Sequence, residues 1–307
     1  MPTNLQAAET EAVGLKEWVW QALAAPGLGW LVLLFVVPFY AILAVAMGRL
    51  HPIFLRPVPE WNPLRWDPGP FGKVFAGLFG GQTGLIALRT VAYVVIASVI
   101  CVIIGYPVAY FVARKAGKRK GLFLILILTP FWINYLMRML AWVNLLSNDG
   151  LVNSALQSVG LSAQNWLGGQ HSTVILGLVY GYLPFFILPL YSALDRIDHQ
   201  VLEAARDLGA SARAAFFRVT LPLSRQGVLA GLVIIMLPMF GDYYTPNLLS
   251  GSPRTRMIGN QIDQLINQTT SQGREGAALT VILMAAVGLL MIYYLSNIAR
   301  VTAEARE

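Results

Sequence analysis

Residues 195–222 read DRIDHQVLEAARDLGASARAAFFRVTLP, and the stretch stands between two long apolar runs. Ile197, Val201, Ala204 or Ala205, and Leu208 recur at helical spacing, which predicts one apolar face on a short helix. Gly209 is a stop signal, because glycine takes the left-handed conformation after a helix without a Cβ clash. Ser211 is placed to cap a second short helix carrying Phe216 and Phe217, and Pro222 then leads into the next apolar run. An amphipathic hairpin so placed either lies on a lipid surface or docks into another protein's groove. The physics of the residues leaves both open.

The flanking runs belong to a larger set. Of 307 residues, 56% are hydrophobic and 12% charged, against about 25% charged in a soluble domain. With a mean hydropathy of +0.61, this is the composition of a multi-spanning membrane protein. Stretches free of charge and long enough for the ~20 residues of a span predict spans near 27–47, 90–112, 121–146, 172–192, 226–247 and 277–298. The third is interrupted only by Arg138 and the fifth only by Asp242. These runs are too long for barrel strands, so the expected fold is an all-α integral membrane protein of six helices.

Lys and Arg in the short loops set orientation. Arg114, Lys115, Lys118, Arg119 and Lys120 follow span two, and Arg196, Arg206, Arg213 and Arg218 follow span four, while residues 147–171 hold neither type. Loops two and four are therefore expected inside, with both termini cytoplasmic: segment 1–26, coupling loop 193–222 and tail 299–307. Glu9, Glu11 and Glu17 precede the first apolar run in place of a basic region, so no signal peptide is expected. The external loop 48–89 runs against the trend, with Arg49, Arg56, Arg65 and Lys73. It is rich in Pro and Trp (RPVPEWNPLRWDPGP) and reads as a small, irregular cap. Pro38, Pro107, Pro130, Pro184 and Pro189 fall inside spans, either as ordinary kinks or as breaks that line a cavity.

Other chemistries find little support. The single cysteine, Cys101, rules out an intrachain disulfide and reads as a small core residue. His51, His171 and His199 lie far apart, so no metal site is expected. GKRK at 117–120 lacks the glycine spacing and the Ser/Thr of a phosphate loop. The net charge of +7 is explained by loop orientation, not by nucleic acid.

One resemblance narrows the reading. Glu203-Ala204-Ala205, three residues, Gly209, nine residues, then Val219-Thr220-Leu221-Pro222 resembles the EAA loop of ABC importer permeases. That family's pattern is EAA, three residues, Gly, nine residues, then I-x-L-P, and only Val219 departs. The resemblance implies the type I importer permease fold in a bacterial plasma membrane, with Glu203, Ala204, Ala205, Gly209, Leu221 and Pro222 coupling to an ATPase. It also implies a second homologous permease chain, two ATP-binding subunits that carry the ATP and Mg, and an external substrate-binding protein. No cofactor is implied on this chain. The competing class, a membrane scaffold without a transport pathway, lacks any reason for a spaced EAA loop.

GDYYTPNLLSG at 241–251 is similar to the span-five exit of the spermidine/putrescine permease subfamily, G-[D/E]-x-x-x-P-x-L-[hydrophobic]-G-G, with Ser250 in place of one glycine. PFWINYLMRMLAW at 130–142 is similar to that subfamily's third span, and the whole resembles its first permease chain. Related permeases import ferric iron, phosphonates, thiamine or opines. A polyamine needs carboxylates for charge and aromatic faces for its ammonium groups and stem. Asp242, Tyr243 and Tyr244 offer these, with Trp132, Asn134, Tyr135 and Trp142 from span three. Aromatics also form interfacial belts. Arg138 would repel a polycation in the pathway. Asp242 therefore has three readings: an ion pair with Arg138, a substrate contact, or solvation at the external mouth.

Overall fold

A computed structural model describes residues 17–268 and 270–304. Of the expected segment 1–26 the structure describes 17–26, and of the tail 299–307 it describes 299–304; both described parts are helical. Helix α1 covers 17–46: an α-helix Glu17–Leu31, a π turn Val32–Val36 and an α-helix Val37–Ala46. The π turn directly precedes Pro38, whose missing N–H leaves the Leu34 carbonyl without its usual donor, and the widened turn absorbs that loss.

The loop expected outside, 48–89, is a built cap. Strands β1 (Arg49–Leu50) and β2 (Pro57–Val58) form an antiparallel ribbon, and helix α2 (Gly69–Gly80) follows. Asp67 pairs with Arg274 at 2.7 Å and Lys73 with Glu275 at 3.0 Å, tying the cap to the last helix. The irregular loop expected there thus contains a twelve-residue helix.

Helix α3 runs Gln82–Arg114 and starts well before the expected residue 90. Its Arg89 does not end the span, because Nη1 donates to the Pro253 and Arg256 carbonyls. Helices α4 (Lys120–Leu128), α5 (Tyr135–Leu146) and α6 (Leu151–Ser158) follow, then α7 (His171–Asp195) and α8 (His199–Asp207). Helix α9 is continuous over Ala212–Phe240, with a π turn Phe216–Thr220 ahead of Pro222. The separate short helix expected before Pro222 is therefore the first part of the span. Helices α10 (Tyr244–Leu249), α11 (Ile258–Asp263) and α12 (Gly273–Glu304) complete the chain.

Among the described residues, five helices are long and apolar enough to cross a membrane unbroken: Ala22–Ala46, Gln82–Arg114, His171–Asp195, Ala212–Phe240 and Gly273–Tyr294. The span expected at 121–146 is corrected. It breaks into two segments, Gly117–Trp132 and Tyr135–Ser158, bent by 87°. Pro130 removes a backbone donor, and Thr129 gives its hydroxyl to the Ile125 carbonyl at 2.7 Å. Ile133 is extended, and Asn134 starts a new helix by accepting the Leu136 N–H at 2.9 Å.

The core lies where α3, α7 and α9 meet. Phe186 of α7 is fully buried between Gly105 of α3 and Gly231 of α9. A Cβ at those glycines would lie 2.6 and 2.8 Å from its ring, so only glycine allows this approach. Cys101 is buried in this core, as expected.

Candidate functional site

The first part of the site is the hairpin between α7 and α9. Asp198 caps α8 by accepting the Gln200 N–H at 3.0 Å. At the other end Gly209 adopts φ +85°. Its N–H reaches the Arg206 carbonyl at 2.8 Å, and the Ala210 N–H reaches Ala205 at 3.0 Å. This is a Schellman ending, which satisfies the last carbonyls of the helix. Ser211 then caps α9 by accepting the Ala214 N–H at 3.2 Å. Glu203, Ala204 and Leu208 are exposed, Leu208 at 89%. Leu221 and Pro222 are exposed about two and a half turns into α9.

The hairpin is anchored firmly. Arg114 donates to the Ile197 carbonyl at 2.7 Å, and Lys120 pairs with Asp195. Phe216 sits edge-on to both Tyr106 and Tyr110 of α3, with centroids at 5.7 and 5.6 Å. Tyr106 in turn bonds the Ser224 hydroxyl at 2.8 Å. α8 is thus an exposed helix on a rigid mount.

The second part lies at the far end of α9. The span expected to run to 247 stops at Phe240, with Gly241 as its C-cap. Asp242 is therefore a cap residue between helices and not a charge inside one. It is 7% exposed. Its Oδ1 accepts the Thr245 N–H at 3.1 Å, and Oδ2 accepts the Thr245 hydroxyl at 2.6 Å. Tyr135 of α5 and Tyr182 of α7 each donate a hydroxyl to Oδ2 at 3.3 Å. Tyr135 also touches the Thr245 hydroxyl.

Small residues let these elements converge. A Cβ on Gly181 of α7 would meet the Tyr135 ring at 3.1 Å, and one on Gly177 would meet Leu249 and Thr245 at 2.3 and 2.6 Å. Asn260 of α11 closes the turn from below, donating to the Tyr243 carbonyl at 2.7 Å and to Asn247 at 2.9 Å.

The expected Arg138–Asp242 ion pair is not formed: the two are absent from the ion pairs within 4.0 Å among the described residues. Neutral donors have taken the carboxylate. Arg138, 8% exposed, lies instead over the Phe131 ring at 4.0 Å, with Tyr135 and Tyr180 at 5.4 and 5.8 Å. Among the described residues its Nε and Nη1 have no hydrogen-bond partner. Cation–π contact with three rings compensates part of that burial.

The other expected residues fall in different places. Tyr243 and Tyr244 stack on each other at 4.0 Å, with Tyr244 40% exposed. Trp132 is 83% exposed at the break in span three, and no ring contact joins it to that pair among the described residues. Asn134 serves as a helix cap, and Trp142 packs on Tyr180 at 5.3 Å. Sequence reasoning missed Tyr182 and Thr245. Asp242 before a short helix is a candidate N-terminal acceptor, but nothing in the sequence singled out Thr245 or Tyr182. Among the described residues no three His, Cys, Asp or Glu side chains converge as a metal site would require.

Comparison with known proteins gives a consistent picture. The family described as "Binding-protein-dependent transport system inner membrane component" matches residues 102–301. The spermidine/putrescine transport system permease protein PotB of Haemophilus influenzae is 38% identical over 226 residues, covering 73% of this chain and 78% of that one. The protein of the same name from Escherichia coli is 37% identical over 211 residues, covering 68% and 76%. A chain in the crystal structure of a bacterial alginate ABC transporter, in complex with an alginate pentasaccharide-bound periplasmic protein, superposes with a TM-score of 0.71. It is 18% identical and covers 93% of this chain and 96% of that one, which shows a shared fold.

Proposed function

Because this chain belongs to the family of inner membrane components of binding-protein-dependent transport systems, we propose that it is the permease subunit through which a polyamine, spermidine or putrescine, enters the cell. As a member of that family it is an ABC importer permease and a multi-pass protein of the bacterial plasma membrane. The polyamine reading is supported by the names of the relatives and by the chemistry of the α9 exit.

One observation carries the mechanism. Helix α9 runs unbroken through Ala212–Phe240, from the exposed hairpin to the Asp242 turn. At 1.5 Å per residue it is a lever of roughly 40 Å. With both termini and the 193–222 loop cytoplasmic, α8 presents Glu203, Ala204, Ala205 and Gly209 to a cleft of an ATP-binding subunit. Leu221 and Pro222 begin the stretch that carries the motion across the membrane. Two such subunits hold ATP and Mg and do the hydrolysis. A second homologous permease chain completes the pathway, and an external binding protein delivers the substrate.

At the far end, the Tyr243–Tyr244 stack and the exposed Trp132 ring offer π faces to an ammonium group, at roughly 0.5–2 kcal/mol each. Asp242, Tyr135 and Asn134 serve the pathway by fixing those elements: the first two as cage partners, the third as a helix cap. Arg138 is held back from the pathway by its ring stack.

The test is uptake by the transporter reconstituted with its binding protein and ATPase. ATP-driven accumulation of labelled spermidine or putrescine is the expected result. Failure to take up any polyamine, with no polyamine-stimulated ATP hydrolysis, overturns the substrate. Glu203→Lys should break ATPase association while leaving the permease folded. Intact association and coupling in that variant overturn the docking role.

A further inference from the structure

Loops on the external side are ordinarily poor in Lys and Arg, yet the cap carries Arg49, Arg56, Arg65 and Lys73. Partners account for two of these: Arg49 faces Glu60 at 4.0 Å, and Lys73 bonds Glu275. The exposed side chain of Arg56 has no hydrogen bond or ion pair among the described residues. Its place in the fold is distinctive. It stands at a cavity of about 620 Å³ between α1 and the start of α12. That volume lies within the ~300–1,000 Å³ of small-ligand sites.

The walls are mostly apolar, with Ala41, Ile42 and Val45 of α1 facing Ile266 and Ala277, and Asn267 adds an amide whose Nδ2 is given to Asp263 at 2.8 Å. Thr280 contributes little polarity, since its hydroxyl is given to the Gly276 carbonyl at 2.9 Å. The rim is rigid: a Cβ on Gly273 would lie 2.6 Å from Pro57, so the ribbon beside Arg56 is pressed onto α12. Tyr40, adjacent to Ala41, packs against Trp61 and Trp66 at 6.2 and 5.9 Å. Such aromatic clusters mark the height of the membrane interface. An apolar slot with one free cation at its interfacial end complements an amphiphile with an anionic head.

We infer that this cavity holds an acyl chain of an anionic phospholipid of the external leaflet, with its phosphate on Arg56. Apolar chain in the slot and charge at the rim match the two ends of one molecule. The site also gives an external arginine a partner that the protein does not supply.

The experiment is native mass spectrometry of the transporter complex, purified through this chain and released from nanodiscs of phosphatidylethanolamine and phosphatidylglycerol. Arg56→Gln should lower retained phosphatidylglycerol about fivefold, the weight of one basic side chain at a lipid surface, and leave phosphatidylethanolamine unchanged. Ala41→Phe, which fills the slot, should displace both. Phosphatidylglycerol retention unchanged in Arg56→Gln overturns the inference. So does a photo-crosslinker at Ile42 that couples to the second permease chain in place of lipid. Arg56 is exposed, so its replacement tests the site without threatening the fold.

Discussion

Replacing Asp242 separates a structural cage from a cargo site. The carboxylate is 7% exposed and accepts four bonds. The Thr245 hydroxyl, at 2.6 Å, falls within the usual range of about 2.5–3.0 Å for O–H···O bonds. The two tyrosines, at 3.3 Å, are long. A strong bond to a charged acceptor contributes roughly 1.5–3 kcal/mol, and the long ones less. Burying the charge costs ~2.5–3.5 kcal/mol in a bilayer. The cage therefore roughly offsets the cost of its own charge. Removing the carboxylate relieves that cost but leaves the Thr245 N–H and the Tyr182 hydroxyl without an acceptor, while the Tyr135 and Thr245 hydroxyls keep only each other, at roughly 1–3 kcal/mol for each fully orphaned group. Asp242→Ala should lose about 2–4 kcal/mol, and Asp242→Asn about half of that, because the amide still accepts one bond.

The assay is reversible unfolding of the permease in mixed micelles, run as a cycle with Tyr182→Phe. In the native background Tyr182→Phe removes a donor to the carboxylate and destabilises modestly. In the Asp242→Ala background it removes an orphaned hydroxyl and becomes neutral or stabilising. Equal costs in the two backgrounds, within about 0.5 kcal/mol, would refute the cage. Unfolding unchanged in Asp242→Asn while uptake is abolished would assign the carboxylate to cargo.

Three further outcomes follow from the same structure. Gly209→Val forces a β-branched side chain into φ +85°; it should fray α8 at a cost of at least ~1–2 kcal/mol and weaken ATPase pull-down. Gly177→Ala places a methyl 2.3 Å from Leu249, and overpacking of about 1–3 kcal/mol should show in unfolding, whereas the same change at the open Gly121 should not. The Arg274 hydrogen bond, aided by the Gly69 N–H, holds the exposed Asp67 carboxyl below its ordinary range. Its contribution is therefore full above a pH of about 4 and is lost as pH falls further; Arg274→Gln should loosen the cap to limited proteolysis at neutral pH, with the difference from wild type shrinking in acid and in high salt.

Much of this was legible in the sequence, and for identifiable reasons. Charge-free runs located the spans because hydrocarbon excludes ions whatever the packing. Gly209 and Ser211 were legible because capping is local, set by one residue's conformation or one hydroxyl. The errors came where an ion is satisfied from far away. Arg89 looked like a span boundary, yet its partners lie more than 160 residues on, at Pro253 and Arg256. Arg138 and Asp242 invited pairing as the lone opposite charges of two apolar runs, but rings took one and hydroxyls the other. The break at Ile133–Asn134 was legible only as one of two readings of Pro130, because apolar composition does not distinguish a straight span from two halves.

The geometry places the compliant elements where transport would use them. Helices α3, α7 and α9 lock together through Phe186 between Gly105 and Gly231, and a Cβ on Gly227 would lie 2.3 Å from Ala193. A contact that close cannot slide without repacking. A movement of the hairpin, as proposed above, would therefore be passed along α9 and not dissipated within this trio. At its far end the two bonds from Thr245 to Asp242 stay within the turn itself, and α5, which lies outside the locked trio, joins that turn through the Tyr135 hydroxyl, bonded to Asp242 Oδ2 at 3.3 Å and to the Thr245 hydroxyl. That link is where a displaced α9 would part from α5. Tyr135 is the donor on α5, just past the break in span three, where the backbone has already given up helical continuity. A displaced α9 would thus carry Asp242 and Thr245 away from Tyr135 and let the two halves of span three change their angle. Tyr135→Phe should accordingly shift the balance between access states, seen as raised basal ATP hydrolysis with uptake retained. Basal hydrolysis equal to wild type would place the yielding point elsewhere.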